Sequence, residues 1–487
     1  MPETNCAIVW FRHDLRLSDN PAFAHAAAEH DQVLAVYCLD EDTAGAWRPG
    51  GASRWWLHHS LADLAATLSG KGVPLVLRRG PATRVIPELA ETAGATAVYW
   101  NRRYYAWGIE ADKAIKQALG DAGIVAESFN GTLLREPWET RTGSGDPYKV
   151  FTPFWRAYQA AGAPPEPRRR PARVTGLADP PASDRLDDWN LLPTRPDWAG
   201  GLRQTWSPGE ETARRRLHAF VDSRLHAYAR DRNRPDLDAT SGLSPHLHFG
   251  EIGPRQVWHA VLAHEQANDG RTKGSETFLK ELVWREFSHN LLFHFPGIFE
   301  VPIDRRFADF PWREDDEALA AWQGGRTGYP IVDAGMRQLW ETGWMHNRVR
   351  MVVASFLIKH LLLPWQRGEA WFWDTLVDAD HGNNAASWQW VAGCGADAAP
   401  YFRIFNPMTQ GEKFDPDGAY VRKWVPELKE LPTKWIHAPW TATPQTLEDA
   451  GVRLGETYPH PIVDHMAARA RALDAFEQIK RDPSGGR

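Results

Sequence analysis

Through the first 130 residues, short continuous apolar runs alternate with longer stretches whose apolar positions recur at helical spacing. The runs at 6–11, 33–39, 73–77, 96–100 and 124–129 predict strands buried on both faces. Ala- and Leu-rich segments at about 21–30, 52–69, 83–93 and 109–119 predict the helices between them. This alternation predicts an α/β domain over 1–130, a parallel Rossmann-like sheet covered by helices. No G-x-G-x-x-G follows the first strand; Phe11-Arg-His-Asp-Leu-Arg16 does, so an ordinary dinucleotide site is not supported there. The carboxyl ends of the strands remain a natural place for a ligand.

From 131 to 205 the periodicity dissolves among Pro164-Pro165, Pro167, Pro171, Pro180-Pro181, Pro193 and Pro196, which predicts a surface-wrapped interdomain connector. Its Arg168–Arg170 run reads as a solvated face. Pro208-Gly-Glu210 opens a helical region over 206–480, with apolar residues at helical spacing in 211–226, 276–295, 333–342, 346–362 and 465–480. The expected architecture is thus an α/β N-terminal domain plus a large all-α C-terminal domain, ending in a frayed tail over 481–487.

A length of 487 residues suits two or three domains, and 43% apolar with 24% charged residues suits a globular protein. No apolar run approaches the ~20 residues of a membrane span, and Met1–Asn5 leads straight into a strand, so neither a membrane anchor nor a signal peptide is expected. Three cysteines cannot build a disulfide framework, and a cytoplasmic setting is expected. The 25 tryptophans read chiefly as packing. A net charge of −6 argues against nucleic-acid binding by bulk charge, though not against a local basic face.

Candidate chemistry gathers at 378–390, where Asp378, Asp380, Asn383, Asn384, Trp388 and Trp390 lie close together. Buried carboxylates and amides need partners, so this stretch predicts a bound group with matching donors, acceptors and an aromatic face: a flavin. Thr240-Ser-Gly-Leu-Ser-Pro245 offers hydroxyls before a helix-compatible segment, which reads either as a cap or as a phosphate holder. Phe278, Glu281, Arg285 and Ser288 share one helix face, where Glu281 and Arg285 can form an i,i+4 pair. Helix 346–362 places Asn347, Arg350, Met351 and Ala354 on one stripe, with Arg348 rotated away. Arg350 among valines needs a carboxylate, and Asp378 or Asp380 is the candidate. His246 and His248 lack further ligands at metal spacing, so no metal is expected.

Several motifs together resemble the photolyase/cryptochrome family: Asp14-Leu-Arg-Leu-Ser-Asp-Asn-Pro21, Thr240–Pro245, Trp284-Arg-Glu-Phe287, Gly328-Tyr-Pro-Ile-Val-Asp-Ala334, Thr342-Gly-Trp-Met-His-Asn-Arg348, Asp378-Ala-Asp380, Trp388-Gln-Trp390 and Tyr401-Phe-Arg-Ile-Phe-Asn-Pro407. The resemblance runs from about 6 to 475 and is strongest to bacterial cyclobutane pyrimidine dimer photolyases, leaning to the plant-cryptochrome-like class III branch. It implies an N-terminal antenna domain, a C-terminal FAD-binding domain, and light-driven electron transfer to a dimer flipped out of UV-damaged DNA. Photolyases are a standard example of base flipping.

By this resemblance Tyr228, Thr240, Ser241, Gly242, Leu243 and Ser244 hold the FAD phosphates. Arg285, Arg350, Asp378, Asp380 and Asn384 surround the ring system, and Glu281 and Asn347 border it while hydrogen-bonding the dimer. Trp284 and Trp390 flank the lesion, Met351 touches it from the flavin side, and Arg232, Arg348, Arg403 and Lys413 contact DNA phosphates. Trp388, Trp365 and Trp312 form the electron route to oxidised flavin. Asn384 stands where plant cryptochromes carry Asp, which favours repair over signalling. Enterobacterial folate-binding relatives carry an Asn-Glu pair near Trp107-Gly108, so the expected second chromophore is methenyltetrahydrofolate in a displaced site, with a deazaflavin as the alternative. A monomer is expected. The competing readings are a blue-light photoreceptor and a (6-4) photolyase, the latter requiring a histidine pair for which only His346 presents itself.

Overall fold

The computed structural model describes residues 5–268, 270–398 and 402–481. Tyr401 of the 401–407 motif and the tail 482–487 lie outside these. Five parallel strands, β1 (Cys6–Phe11), β2 (Gln32–Leu39), β3 (Leu75–Arg79), β4 (Ala97–Asn101) and β5 (Val125–Phe129), form one sheet in the order β3-β2-β1-β4-β5. Ile8 on the central strand lies opposite Leu34 and Val98. Alternation along β1 divides the core: Ala7, Val9 and Phe11 pack with Trp55, Trp56 and Leu61 on one face, while Ile8 and Trp10 pack with Ile86, Leu89 and Ile115 on the other. The run predicted at 73–77 forms its strand at 75–79, because Pro74 has no N–H for the ladder.

The sheet order reverses between β1 and β4, and the segment after β1 joins the two halves of the molecule. Arg16, 1% exposed, donates to the carbonyls of Gly250 (2.9 Å), Asp19 (2.7 Å) and Gly131 (2.6 Å). Gly250 has φ +68°, and a Cβ there would stand 2.1 Å from the His13 carbonyl, so only glycine permits this approach. The Asp14–Pro21 motif is therefore a domain-docking device.

The connector is more ordered than its prolines suggest. Phe151–Ala160 is a helix, with Pro153 tolerated in its first turn. It packs on the Lys273–His294 helix, where the rings of Phe151 and Trp284 stack at 3.7 Å and 8°. Tyr158 and the backbone N–H groups of Leu134 and Arg135 donate to buried Glu286. Further on, Val33 N–H donates to Thr175 O at 2.8 Å, holding the connector against the sheet.

Beyond residue 206 every regular element is helical among the described residues. Helices Lys273–His294, Asn347–Ser355, Trp365–Thr375 and His381–Ala392 frame the site. The single helix expected over 346–362 instead changes to a π turn over Phe356–His360. No described helix is long and apolar enough to cross a membrane.

Candidate active site

A cavity of about 790 Å³ opens between these helices, within the range of small-molecule sites. One end is polar. Arg350 donates Nη2 to both oxygens of Asp378, at 2.9 and 3.0 Å, and Nε to the Met345 carbonyl at 2.7 Å. Asp380 caps the His381–Ala392 helix by accepting the Asn383 N–H at 2.8 Å. Burial opposes its charge, yet His289, 3.2 Å away, with His248 and Arg285 nearby, holds its carboxyl well below the ordinary range. Asn384, one turn into that helix, donates to the Glu369 carbonyl at 3.1 Å. Buried ionic groups of this kind persist where each is paired.

The loop at Thr240–Ser244 and buried Tyr228 border the same cavity. Gly242 has φ +62°, and a Cβ there would stand 2.5 Å from Nη1 of Arg216. Hydroxyls backed by a guanidinium make an anion cradle. Sequence reading missed Arg216; its signal was the basic run 214–216 in the Glu210–Ser223 helix. A phosphate cradle leading to a polar end built from Arg350, Asp378, Asp380 and Asn384 fits a flavin nucleotide.

Glu281, Trp284, Asn347, Met351 and Trp390 line the same cavity. Glu281 pairs with Arg232. The i,i+4 pair expected with Arg285 does not form: Arg285 donates to the Thr132 carbonyl at 2.9 Å and lies 3.5 Å from Glu286. Trp284 is backed by Phe151, and Trp390 donates Nε1 to the Asp397 carbonyl at 3.0 Å. Asn347, Arg350, Met351 and Ala354 share the cavity as their spacing predicts, but Arg348 reaches it as well. Its guanidinium bonds Asn233 at 2.9 Å and lies 4.4 Å from the Phe414 ring. Lys413 lies over the same ring at 5.3 Å, outside the cavity lining, while Arg403 borders the cavity. His346 does not line it. It caps the Asn347–Ser355 helix, accepting the Arg348 N–H at 3.2 Å.

Trp388 borders the cavity, with its ring resting where a Cβ on Gly368 would stand 2.1 Å away. Trp365, 1% exposed, begins the helix that carries Gly368. Trp312 contacts Phe310 at 4.4 Å, and Arg313 N–H donates to the Leu362 carbonyl at 2.8 Å, three residues ahead of Trp365. Among the described residues the three indoles do not stack on one another. The rings against Trp388 are Phe372 at 5.0 Å and Trp322 at 6.3 Å.

A parallel-sheet domain docked onto a helical, flavin-shaped socket defines a class, and comparison with known proteins agrees with it. Residues 278–478 match the model for the FAD binding domain of DNA photolyase, and residues 7–172 match the DNA photolyase model. The chain belongs to the photolyase/cryptochrome family. It is 53% identical over 482 residues to a deoxyribodipyrimidine photo-lyase of Agrobacterium fabrum, covering 98% of this chain and 99% of that one. It is 40% identical over 489 residues to cryptochrome-1 of Arabidopsis thaliana, covering 97% and 70%. The crystal structure of a bacterial class III photolyase from Agrobacterium tumefaciens matches with a TM-score of 0.95 at 52% identity, covering 99% of each chain.

Proposed function

We propose that this protein splits cyclobutane pyrimidine dimers in UV-damaged DNA under light. The observation that carries the reading is one cavity lined by two sets of groups: Arg350, Asp378, Asp380 and Asn384, which suit a flavin, and two indoles, Trp284 and Trp390, with the carboxylate of Glu281 and the amide of Asn347. Bound FAD, when reduced and illuminated, supplies the electron for the reaction. The residues of this chain do the rest. Trp284 and Trp390 offer aromatic faces to a flipped-out dimer. Glu281 and Asn347 hydrogen-bond its carbonyl and N–H edges, and Met351 packs between dimer and flavin. Arg348, Arg403 and Lys413 hold flanking phosphates, with Arg232 completing the basic rim. Trp388, Trp365 and Trp312 carry electrons inward from the surface when the flavin is oxidised.

Illumination of the reduced protein with a dimer-containing oligonucleotide is expected to restore unmodified thymines. Absence of restoration alongside normal flavin photoreduction would instead support the photoreceptor reading, which the likeness to a plant cryptochrome favours. The (6-4) reading lacks support, because His346 is committed to a helix cap.

For the second chromophore we propose a folate outside the enterobacterial-type position. A Cβ at Gly108 would stand 2.5 Å from the Tyr105 ring, and Trp107 packs on Tyr105 at 4.6 Å, so an Asn-Glu pair has no room there. An absorption spectrum with a component beside the flavin bands tests this. We further propose a monomer acting in the cytoplasm, where Cys6, Cys38 and Cys394 stay as free thiols.

A further inference from the structure

The Asn347–Ser355 helix, one wall of the cavity, runs on into the π turn Phe356–His360, closed by Leu361 N–H donating to Phe356 O at 3.1 Å. Such turns are rare and concentrate at functional sites. All five residues are buried, and one of them is Lys359, 2% exposed. No carboxylate pairs with it among the described residues. Its Nζ donates to the Arg403 carbonyl at 2.7 Å and lies 4.0 Å from the centroid of the Phe402 ring. One turn earlier, Ser355 Oγ accepts the Phe405 N–H at 3.3 Å. The wall helix and its π turn therefore grip the segment 402–405 at two alternate residues. Phe402 and Phe405 are buried, and Phe402 stacks on Phe476 at 4.6 Å, whereas Arg403 is exposed and borders the cavity.

Packing alone does not call for an ammonium here, since a well-fitted apolar side chain commonly replaces a buried charge without loss of stability. We infer that Lys359 is a positioning residue for DNA: by holding the Arg403 carbonyl, it fixes the backbone from which the Arg403 guanidinium meets a phosphate beside the lesion. This rests on the reading of Arg403 as a phosphate contact. The titratable and charged groups around the ammonium are the Cys394 thiol and the Arg403 guanidinium, with His360 next along the turn. Burial lowers the Lys359 pKa to about 7; Cys394 opposes that shift and Arg403 adds to it. A phosphate seated on Arg403 cancels the repulsion between the two cations, so DNA binding draws a proton onto Lys359 near neutral pH.

The test measures affinity for a dimer-containing oligonucleotide against salt and pH in the wild type, Lys359→Met, Arg403→Ala and the double variant. Lys359→Met is expected to keep its flavin and its Tm, to bind about tenfold more weakly, and to lose about one unit of salt slope, as Arg403→Ala does. The double variant is expected to bind no more weakly than Arg403→Ala alone. Calorimetry in buffers of different ionisation heat is expected to show proton uptake by the wild type on binding near pH 7, absent from Lys359→Met. If Arg403→Ala weakens binding and Lys359→Met does not, or if the two losses simply add, the inference falls while the phosphate reading stands. If Arg403→Ala binds like the wild type, the phosphate reading of Arg403 fails and takes the inference with it. Should Lys359→Met not fold, the comparison is made with Lys359→Leu, and binding and salt slope equal to those of the wild type overturn the inference.

Discussion

The guanidinium of Arg232 donates to the carboxylate of Glu281, so a group assigned to the dimer is already paired with a group from the basic rim. The side chains are 19% and 30% exposed, so the pair is largely shielded from solvent. Any partner for Glu281 therefore meets a carboxylate that Arg232 already holds in place on the cavity wall.

Glu281→Ala is expected to leave FAD bound and to weaken the hold on the dimer by about tenfold or more, since a hydrogen bond to a charged group contributes about 1.5–3 kcal/mol. Repair yield against flavin content checks it. Loss of the flavin would instead reassign Glu281 to structure.

Asp378→Ala strips the partner from Arg350 and leaves a mostly buried cation. Breaking such a pair costs about 3–5 kcal/mol, so a lower Tm and loss of flavin absorbance on gel filtration are expected. Asp378→Asn, which keeps an acceptor, is expected to lose less of both. Equal behaviour of the two variants would remove the ion pair from the account of the site.

Trp312→Phe is expected to slow photoreduction of oxidised flavin severely and to spare repair by enzyme reduced beforehand. Transient absorption and a repair assay read the two separately. If photoreduction persists, the inward route runs elsewhere, and Trp322, in contact with Trp388, becomes the next indole to replace.

His346 must stay neutral to accept the Arg348 N–H, and burial, helped by Arg348, Arg350 and Arg232, lowers its pKa from 6.5 to about 4. Between those values the unfolded chain binds a proton that the folded chain does not. The stability linked to this group is present above about pH 6.5 and is lost as pH falls towards about 4. His346→Asn keeps a capping acceptor and cannot titrate. It is expected to lose less Tm than the wild type between about pH 7 and about pH 5.

Affinity for damaged DNA is expected to fall with salt despite the net charge of −6. Arg348→Ala is expected to reduce the slope by about one unit. A flat dependence would remove the basic rim from the interface.

The strands were legible because β1 is buried along its whole length, which demands an unbroken apolar run. The Arg350–Asp378 pair was legible too, because an arginine among valines has few ways to be satisfied. The partner of Glu281 was not. Helical spacing offers Arg285, but Arg232, 49 residues away, takes the carboxylate once the Thr132 carbonyl has claimed Arg285. The π turn was hidden because Phe356, Leu357 and Ile358 ahead of Lys359 and His360 after it are all compatible with an ordinary helix. The Phe151–Ala160 helix was hidden because ten residues between proline-rich stretches give little periodicity to read.

That short helix bears on how relatives of this chain can be recombined. Phe151 is the back plate of Trp284, although it belongs to the stretch that joins the halves. A chimera made by grafting residues 1–205 from a relative would bring a foreign ring behind Trp284, so a swap meant to exchange the N-terminal half alone would also alter a wall of the cavity in the C-terminal half. A seam placed ahead of Phe151 leaves that wall intact.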